Sequence, residues 1–453
     1  MITRLTLKNF KAWRELEIRF GKVTGLFGAN SSGKSSLLQF LLMLKQTKNA
    51  TDRRLALDLG SSASLINLGS FRDIVYQHDV KSTISWSLDW RLQGILKVED
   101  AMSSRSTVRF QSDELRTECA VDLRNASPWS HDLVYEFDNT LFSLRPSSEG
   151  STKFELHSKD FRFVRNRGRP WQLPGPIKTH LFPDQAKTFY QNADFLSKFE
   201  WEYETLMDRV FYLGPLREHP KREYTWSGAK PDDVGQRGER TVDAILAASA
   251  DEEKRNLGRR KRLKPFQEFI ADWLKTLGLI ESFSVREVAD GSNIYQAKVK
   301  KDSSSAEVLL TDVGFGVSQV LPALVLLYYV PEGSTILMEQ PEIHLHPSAQ
   351  SGLADAILKA VDTRDVQVIV ESHSEHLMRR LQRRVAENES LSRDVKLYFV
   401  SMERGSAQLS DLRLNEWGEI ENWPDNFFGD ELAEIAAMRL ATLERKMKAS
   451  QTQ

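Results

Sequence analysis

The chain has 453 residues, of which 40% are hydrophobic, so it can form a sizeable core and two or three domains of ordinary size. Its formal net charge of −1 excludes a global electrostatic attraction to DNA or to a membrane surface, and any nucleic-acid contact must come from a local patch. The single cysteine, Cys119, excludes an internal disulfide framework and favours a reducing compartment.

The amino-terminal segment predicts strands that lead through a glycine-rich turn into a helix. Residues 2–9 and 16–27 alternate or run apolar, and residues 35–47 have helical spacing. The start lacks the apolar segment of a signal peptide, and the longest apolar run, around 320–330, is shorter than the roughly 20 residues that span a bilayer. We therefore expect a soluble cytoplasmic protein.

The turn itself, GANSSGKS at residues 28–35, fits the phosphate-loop pattern. Gly28 and Gly33 allow a tight loop whose backbone N–H groups point at phosphates, and the following helix directs its positive end there. Lys34 would reach the β- and γ-phosphates, and the Ser35 hydroxyl would bind Mg²⁺. The alternative is a plain Gly/Ser turn, which the flanking apolar strand and helix disfavour.

The middle of the chain has a different pattern. From about residue 70 to 175, short β-like segments separated by Asn, Asp, Ser and Gly predict an inserted antiparallel sheet, and residues 183–208 and 240–277 predict helices. Beyond residue 300, helices and strands alternate, which predicts a mostly parallel sheet covered by helices. We expect helices at 315–329, 347–361 and 374–386, and strands at 334–339, 366–370 and 395–401.

The stretch STILMEQPEIHLHP, residues 334–347, predicts an apolar strand that ends in Glu339. A carboxylate at this place suits Mg²⁺, which it would hold directly or through water. The alternative is an acid that faces solvent at the end of a strand. Gln340, Pro341 and Glu342 follow Glu339.

These motifs resemble the ABC-type ATPases, specifically the branch that includes chromosome-maintenance ATPases and the overcoming-lysogenisation-defect (OLD) family. In that branch the strand commonly ends in an acid, Glu, Pro and Glu, then a His-Leu-His-Pro-like turn, which residues 341–347 match. Gln340 departs from the pattern, because its position normally supplies the water-polarising glutamate. A glutamine orients water but cannot accept its proton, and losing a general base costs about 10²–10⁴ in rate. We expect slow turnover unless Glu342 takes over the role.

The resemblance implies further elements of the site. The loop at 312–322 corresponds to the signature loop, which completes the nucleotide site of a second subunit and so implies a homodimer. His373 matches the switch histidine that contacts the γ-phosphate, and Gln77 is the nearest candidate for a glutamine that senses Mg²⁺. The resemblance therefore implies ATP-binding residues (Asn30, Gly33, Lys34, Ser35, Ser36, Gly316 and Ser318), Mg²⁺ ligands (Ser35, Glu339 and Gln77) and catalytic residues (Gln340, Glu342 and His373).

Other binding sites are weaker predictions. Four histidines at 344, 346, 373 and 376 make zinc geometrically conceivable, but no cysteine accompanies them. The basic stretches 161–171 and 254–264 could contact nucleic acid, with aromatic residues interleaved in the first. Arginines on an edge strand, or a solvated helix face, would explain them equally well.

We therefore expect an α/β fold: an ABC-type P-loop ATPase head (residues 1–69 and 300–412) with a mixed β and helical insertion (70–299) and a tail (413–453). OLD-type proteins often continue into a nuclease domain, whereas this chain ends at 453, soon after the last predicted strand. Stand-alone ATPases of this branch frequently serve anti-phage defence. We expect an ATPase that dimerises on ATP and controls a separate effector; a non-hydrolysing scaffold and a DNA-maintenance ATPase are the alternatives.

Overall fold

A computed structural model describes residues 1–99, 108–148, 150–169, 172–256, 258, 261–424 and 438–442. The strands, in chain order, are β1 (Ile2–Phe10), β2 (Trp13–Arg19), β3 (Val23–Gly28), β4 (Ile84–Glu99), β5 (Val108–Arg124), β6 (Ser127–Phe137), β7 (Thr140–Pro146), β8 (Phe154–His157), β9 (Val210–Leu213), β10 (Tyr224–Thr225), β11 (Lys254–Arg255), β12 (Lys264–Pro265), β13 (Ser282–Glu287), β14 (Ile294–Lys300), β15 (Val308–Leu309), β16 (Thr335–Glu339), β17 (Gln367–Glu371), β18 (Val395–Glu403) and β19 (Ser406–Leu412). The helices are α1 (Lys34–Asn49), α2 (Phe71–Ile74), α3 (Asp184–Phe189), α4 (Leu196–Asp208), α5 (Thr241–Ala250), α6 (Phe266–Thr276), α7 (Phe315–Tyr329), α8 (Pro347–Arg364), α9 (Glu375–Glu387) and α10 (Leu391–Asp394).

A six-stranded sheet in the order β19-β18-β3-β17-β16-β9 forms the centre of the α/β fold. All its neighbouring strands pair in parallel except β18 and β19. Leu337 and Ile369 lie in one hydrophobic core with residues of α1 and α4, whereas Met338 and Val370 lie in a second core with residues of α5 to α9. Both faces are therefore buried, which explains why these strands are continuous apolar runs rather than alternating ones.

A seven-stranded antiparallel sheet, in the order β2-β1-β4-β5-β6-β7-β8, covers the other side of α1. The Phe40 ring of α1 meets the rings of Phe10 and Trp86 on this sheet at 5.2 and 5.4 Å between centroids. The sheet includes β1 and β2, which come from the predicted head, and β9 of the predicted insertion lies in the parallel sheet. The boundaries of the predicted domains stay a prediction.

The α/β alternation predicted beyond residue 300 is confirmed, with α7 at the predicted bounds. The helix predicted across 240–277 is wrong in its middle, because Lys254–Arg255 pairs with Lys264–Pro265 as a short antiparallel ladder between α5 and α6. Pro265 has no backbone N–H and cannot continue a helix interior. In the described parts of the chain, every helix is too short or too polar to cross a membrane.

Candidate nucleotide-binding site

The phosphate loop joins the end of β3 to the start of α1. Gly28 has a φ of +142°, and a Cβ atom there would lie 2.1 Å from the Val400 carbonyl oxygen of β18, so only glycine fits. The buried Lys34 ammonium donates hydrogen bonds to the carbonyl oxygens of Gly28 (3.1 Å) and Ala29 (2.7 Å). Burial lowers the pKa of Lys34, and the charge of Glu371 opposes that shift.

The remaining residues of the loop surround the amino-terminal end of α1. Asn30 is exposed, whereas Ser35 and Ser36 are half-buried in the first turn of the helix. The first turn carries no acidic side chain. The free backbone N–H groups and the positive end of the helix dipole therefore face this loop, and no carboxylate in the same turn competes for them. A helix start of this kind binds phosphate.

Two buried carboxylates end the neighbouring strands β16 and β17. Glu339 and Glu371 are paired in register and are 7% and 3% exposed. Burial, and then the charge of Glu371, raises the pKa of Glu339 to about 7. Burial also raises the pKa of Glu371, whereas the Ser35 hydroxyl as a hydrogen-bond donor and the charge of Lys34 lower it. The carboxyl edge of the sheet thus places Glu371 beside the lysine and serine of the phosphate loop, with Glu339 on the next strand.

This raised pKa makes the stability of the nucleotide-free protein depend on pH. The ordinary pKa of Glu339 in an unfolded chain is 4.5, so the folded protein holds this proton more tightly, with a pKa of about 7. The resulting stabilisation, on the order of 3 kcal/mol, is fully present below pH 4.5 and is lost as pH rises through 7. We expect the melting temperature in metal-free buffer to decrease as the pH is raised from about 5 to about 8. In Glu339→Gln the melting temperature should depend less on pH. The exposed Glu403→Gln serves as the control, and an unchanged profile in Glu339→Gln would contradict the assignment.

Gln340, Glu342 and His373 lie next to these acids. Gln340 has a left-handed backbone (φ +45°) and its N–H donates to the Glu371 carbonyl oxygen at 2.8 Å. The buried Glu342 accepts hydrogen bonds at Oε1 from the Ser372 hydroxyl (2.7 Å) and the His373 backbone N–H (2.8 Å). These two bonds tie Glu342 to the loop after β17, so the geometry supports a positioning role for Glu342. Its catalytic role stays a prediction.

The half-buried His373 lies between the phosphate loop and Glu342. Burial, and then the charge of Lys34, lowers the pKa of His373, and a hydrogen bond to the backbone of Gly28 opposes this shift. A neutral imidazole near Lys34 would remain able to donate a hydrogen bond to a phosphate oxygen. This position agrees with the role expected for His373 from the sequence, which stays a prediction.

The loop predicted to contact a second nucleotide begins α7. Phe315 is 59% exposed, and the Ser318 hydroxyl donates to the Phe315 carbonyl oxygen at 2.9 Å. A Cβ atom on Gly316 would lie 3.5 Å from the His344 carbonyl oxygen, which places this loop beside the segment after β16. In the described residues, no hydrogen bond joins Gly316 or Ser318 to the chain's own phosphate loop.

Within the described residues, no hydrogen bond or ion pair joins Gln77, His344 or His346 to the phosphate loop or to the two acids. The exposed Gln77 donates to the Tyr76 hydroxyl at 3.2 Å, and no hydrogen bond within the described ranges joins it to residues 28–36. Its role at Mg²⁺ stays a prediction. His344 and His346 are exposed, and Nδ1 of His346 accepts from the Ser348 backbone N–H as the N-cap of α8. Over the residues that the structure describes, no group of three or more His, Cys, Asp or Glu is arranged to hold a metal ion.

Glu371, Tyr212 and Arg217 are not among the site residues predicted from the sequence, although all three lie close to Glu339. The Tyr212 hydroxyl donates to Glu339 Oε1 at 2.9 Å, and the Arg217 guanidinium lies 3.5 Å from the Glu339 carbonyl oxygen. Arg217 is 8% exposed, and burial lowers its pKa to about 10. A signal for Glu371 was available, because VQVIVE ends an apolar strand with an acid as STILME does. Tyr212 lies in the four-residue strand β9 and Arg217 follows it, and this strand carries no such pattern.

Some residues of the basic stretches are engaged within the chain, whereas Arg162, Arg167 and Arg169 are exposed, and a contact with nucleic acid stays a prediction. Phe161 is 7% exposed and packs against Phe142 and Phe195, so its ring is not available to stack on a base. Lys264 forms ion pairs with Glu268 and Asp272 of α6. Five members of these stretches lie outside the described residues: Pro170, Trp171, Leu257, Arg259 and Arg260.

A phosphate loop at the start of a helix, with acids at the ends of two adjacent parallel strands, defines a P-loop ATPase. The chain belongs to the family described as "AAA domain, putative AbiEii toxin, Type IV TA system", whose model matches residues 23–379. The ABC-type, OLD-like ATPase expected from the sequence is confirmed at this level. A second model, described as "Protein of unknown function", matches residues 392–438.

Individual proteins resemble this chain at sequence identities of 12–20%. An OLD nuclease of Thermus scotoductus is 20% identical over 388 residues, which are 83% of this chain and 59% of that protein, so the chain spans less than two thirds of its relative's length. An SMC head domain from Thermotoga maritima is 12% identical (TM-score 0.38) and covers 90% of this chain and 98% of its own. The Pyrococcus furiosus SMC head bound to a domain of ScpA is 12% identical (TM-score 0.45), with 91% and 96% covered.

Proposed function

We propose that this chain binds MgATP at the phosphate loop, hydrolyses it slowly, dimerises around it and controls a separate effector in the cytoplasm, in anti-phage defence. One observation carries the proposal: Lys34, Glu371 and His373 converge at the carboxyl edge of the parallel sheet although they come from distant parts of the sequence. Membership of an AAA-domain family supports the ATPase activity. The family's description names a toxin–antitoxin system, which supports a regulatory role for the bound nucleotide.

The residues present fit Mg²⁺. Ser35 supplies a hydroxyl, and Glu339 and Glu371 supply carboxylates at the adjacent strand ends. Oε2 of Glu371 is buried and makes no well-formed hydrogen bond within the described part of the chain, so it has a lone pair to offer. Mg²⁺ is typically held by one or two carboxylates together with substrate phosphates. When bound by these residues, the ion would supply positive charge that offsets the negative charge of the phosphates.

Slow hydrolysis follows from the chemistry of Gln340. The Gln340 backbone N–H donates a hydrogen bond to the Glu371 carbonyl oxygen of β17, and Gln340 is half-buried at the edge of the site. The amide of a glutamine donates and accepts hydrogen bonds, so Gln340 can orient a water against the γ-phosphate. It cannot remove a proton from that water. The non-hydrolysing scaffold is the second candidate, and this same residue favours it.

Dimerisation is supported by the face around the α7 amino terminus. Gly314 and Phe315 are exposed there, and the first backbone N–H groups of this 15-residue helix have no partner within the helix. An exposed helix start attracts phosphate, whereas the chain's own phosphate loop makes no hydrogen bond with Gly316 or Ser318 in the described residues. A second copy would bring its γ-phosphate to this face.

The test introduces a negative charge at this face by replacing Gly316 with glutamate. Its φ is not in the left-handed region and its surroundings have room for a Cβ atom, so the monomer should fold. We expect the wild type with ATP and Mg²⁺ to sediment as a dimer and Gly316→Glu to stay a monomer, because its carboxylate would repel the partner's γ-phosphate. Sedimentation velocity gives the mass, and fluorescence of a labelled ATP gives binding by the monomer.

Gly94→Glu is the matched control, because Gly94 is an exposed strand residue with open space around its Cβ position. It adds the same charge away from the proposed interface and should dimerise like the wild type. A wild type that binds ATP and remains a monomer at micromolar concentration would contradict the dimer. Equal dimerisation of wild type and Gly316→Glu would exclude this face as the interface.

A further inference from the structure

Glu371 ends the strand that lies between the phosphate-loop strand and the strand of Glu339. β17 pairs with β3 on one side and with β16 on the other. Neighbouring strands are about 4.8 Å apart, so Glu371 stands one strand from the phosphate loop and Glu339 stands two strands away, at about 10 Å. Glu371 is therefore the acid at the sheet edge that lies closer to Ser35.

The hydrogen-bond and charge partners of the two acids agree with this strand order. The Glu371 carboxylate lies beside the Ser35 hydroxyl and within reach of the Lys34 charge. The Glu339 carboxylate accepts a hydrogen bond from Tyr212 of β9, on the side away from β3, and feels the charge of Arg217. Glu339 is thus held toward β9, whereas Glu371 faces the phosphate loop.

One carboxylate oxygen of Glu371 is available to bind a ligand. Its side chain is 3% exposed, and its Oε2 atom is buried without a well-formed hydrogen bond among the described residues. A buried polar atom without a partner costs about 1–3 kcal/mol, so such atoms call for a partner that the folded chain alone does not supply. A divalent cation between Ser35 and this oxygen would be such a partner.

We propose that Glu371 is a direct carboxylate ligand of the nucleotide-bound divalent cation, together with Ser35, and that Glu339 acts from the next strand at longer range. The proposal rests on MgATP binding at the phosphate loop and adds a ligand to that site. The competing role for Glu371 is purely structural, as a buried counter-charge that holds Lys34 in place.

The test measures metal binding rather than turnover. Mn²⁺ replaces Mg²⁺ as the probe, and electron paramagnetic resonance counts free Mn²⁺ in titrations of the protein with a non-hydrolysable ATP analogue. We expect Glu371→Gln to weaken Mn²⁺ binding at least tenfold, the scale known for changes around metal ligands, and to weaken it more than Glu339→Gln does. Glu375→Gln, in the first turn of α9, is the control and should leave Mn²⁺ binding unchanged.

Two further readouts separate a ligand from a structural counter-charge. Metal-free binding of the analogue in chelator should stay within a few-fold of wild type in Glu371→Gln, whereas a structural role through Lys34 predicts a loss there as well. Glu371→Cys should shift the preference of the site from Mn²⁺ to Cd²⁺, because thiolate favours soft cations. A thiol that only fills space would not change the preference.

Unchanged Mn²⁺ affinity in Glu371→Gln, or equal losses with and without metal, would overturn the assignment of Glu371. Cd²⁺ preference in Glu371→Cys would support it even if the glutamine variant folds poorly. Failure of the wild type to bind the analogue in chelator and in Mn²⁺ alike would overturn the proposed function itself, and the ligand role with it. Normal nucleotide binding with a normal Glu371→Gln variant would overturn the ligand role alone.

Discussion

Lys34→Ala is expected to lower the affinity for ATP by about 10²–10³-fold and to abolish measurable phosphate release. The Lys34 ammonium is buried and donates to two carbonyl oxygens of the phosphate loop, so it is held where phosphate oxygens would lie. Removing one partner of a buried charged hydrogen bond costs about 2–5 kcal/mol, and every 1.4 kcal/mol is about tenfold in affinity. Fluorescence of a labelled ATP in a direct titration measures the loss.

The exposed Lys22→Ala is the control, since Lys22 pairs with Asp365 at the opposite edge of the sheet. It removes the same charge and should leave ATP affinity within about twofold, because surface ion pairs contribute little. Lys34→Ala must also melt cooperatively, so that lost binding is not lost folding. Wild-type affinity in Lys34→Ala would show that ATP binds elsewhere. The proposed defence role predicts that cells carrying the wild type with its native gene neighbours resist phage and that cells carrying Lys34→Ala do not. No protection by the wild type would contradict the defence role, and retained protection by Lys34→Ala would contradict its dependence on ATP.

Gln340→Glu is expected to raise multiple-turnover phosphate release by about 10²–10⁴, the range that a positioned general base contributes. The residue follows Glu339 directly, and its left-handed backbone is held by the hydrogen bond to β17. A glutamate of nearly the same size should therefore occupy the same place and accept the proton of the attacking water. Phosphate release under excess ATP measures the effect, and single-turnover experiments separate chemistry from product release.

Gln340→Leu is the companion variant, because it keeps the bulk and removes both hydrogen-bonding atoms. If Gln340 orients the water, Gln340→Leu should be slower than the wild type; if the wild type is a scaffold without turnover, the two will be equally silent. A fast wild type that gains nothing from Gln340→Glu would show that the base lies elsewhere. Glu342→Gln would then test the one other candidate, although its Oε1 is already engaged by Ser372 and His373.

The local patterns predicted individual elements well because each depends on a short window of sequence. Helix α7 runs from Phe315 to Tyr329 as expected, and the phosphate loop lies where glycine is sterically required at Gly28. The prediction of a helix across residues 240–277 failed in its middle, where Lys254–Arg255 pairs with Lys264–Pro265. The helical composition of this segment gave no weight to Pro265, which cannot continue a helix interior. For residues 161–171 the sequence left a stacking surface and an edge strand as alternatives, and no local pattern showed that the Phe161 ring packs against Phe142 and Phe195 from other parts of the chain.

The sequence by itself determined the kind of site: a phosphate loop, an acid after an apolar strand, and a glutamine directly after that acid. Each of these is a property of covalently adjacent residues, whose chemistry and backbone needs are local. Only the tertiary structure decided which acid is nearest the phosphate loop, because the strand order β3-β17-β16-β9 joins segments that are far apart in sequence. That order buries the apolar residues on both faces of the sheet. The buried area depends on how distant segments pack together, so no short stretch of sequence determines it. The inserted position of β17 is what brings Glu371 to Ser35 and leaves Glu339 beside Tyr212.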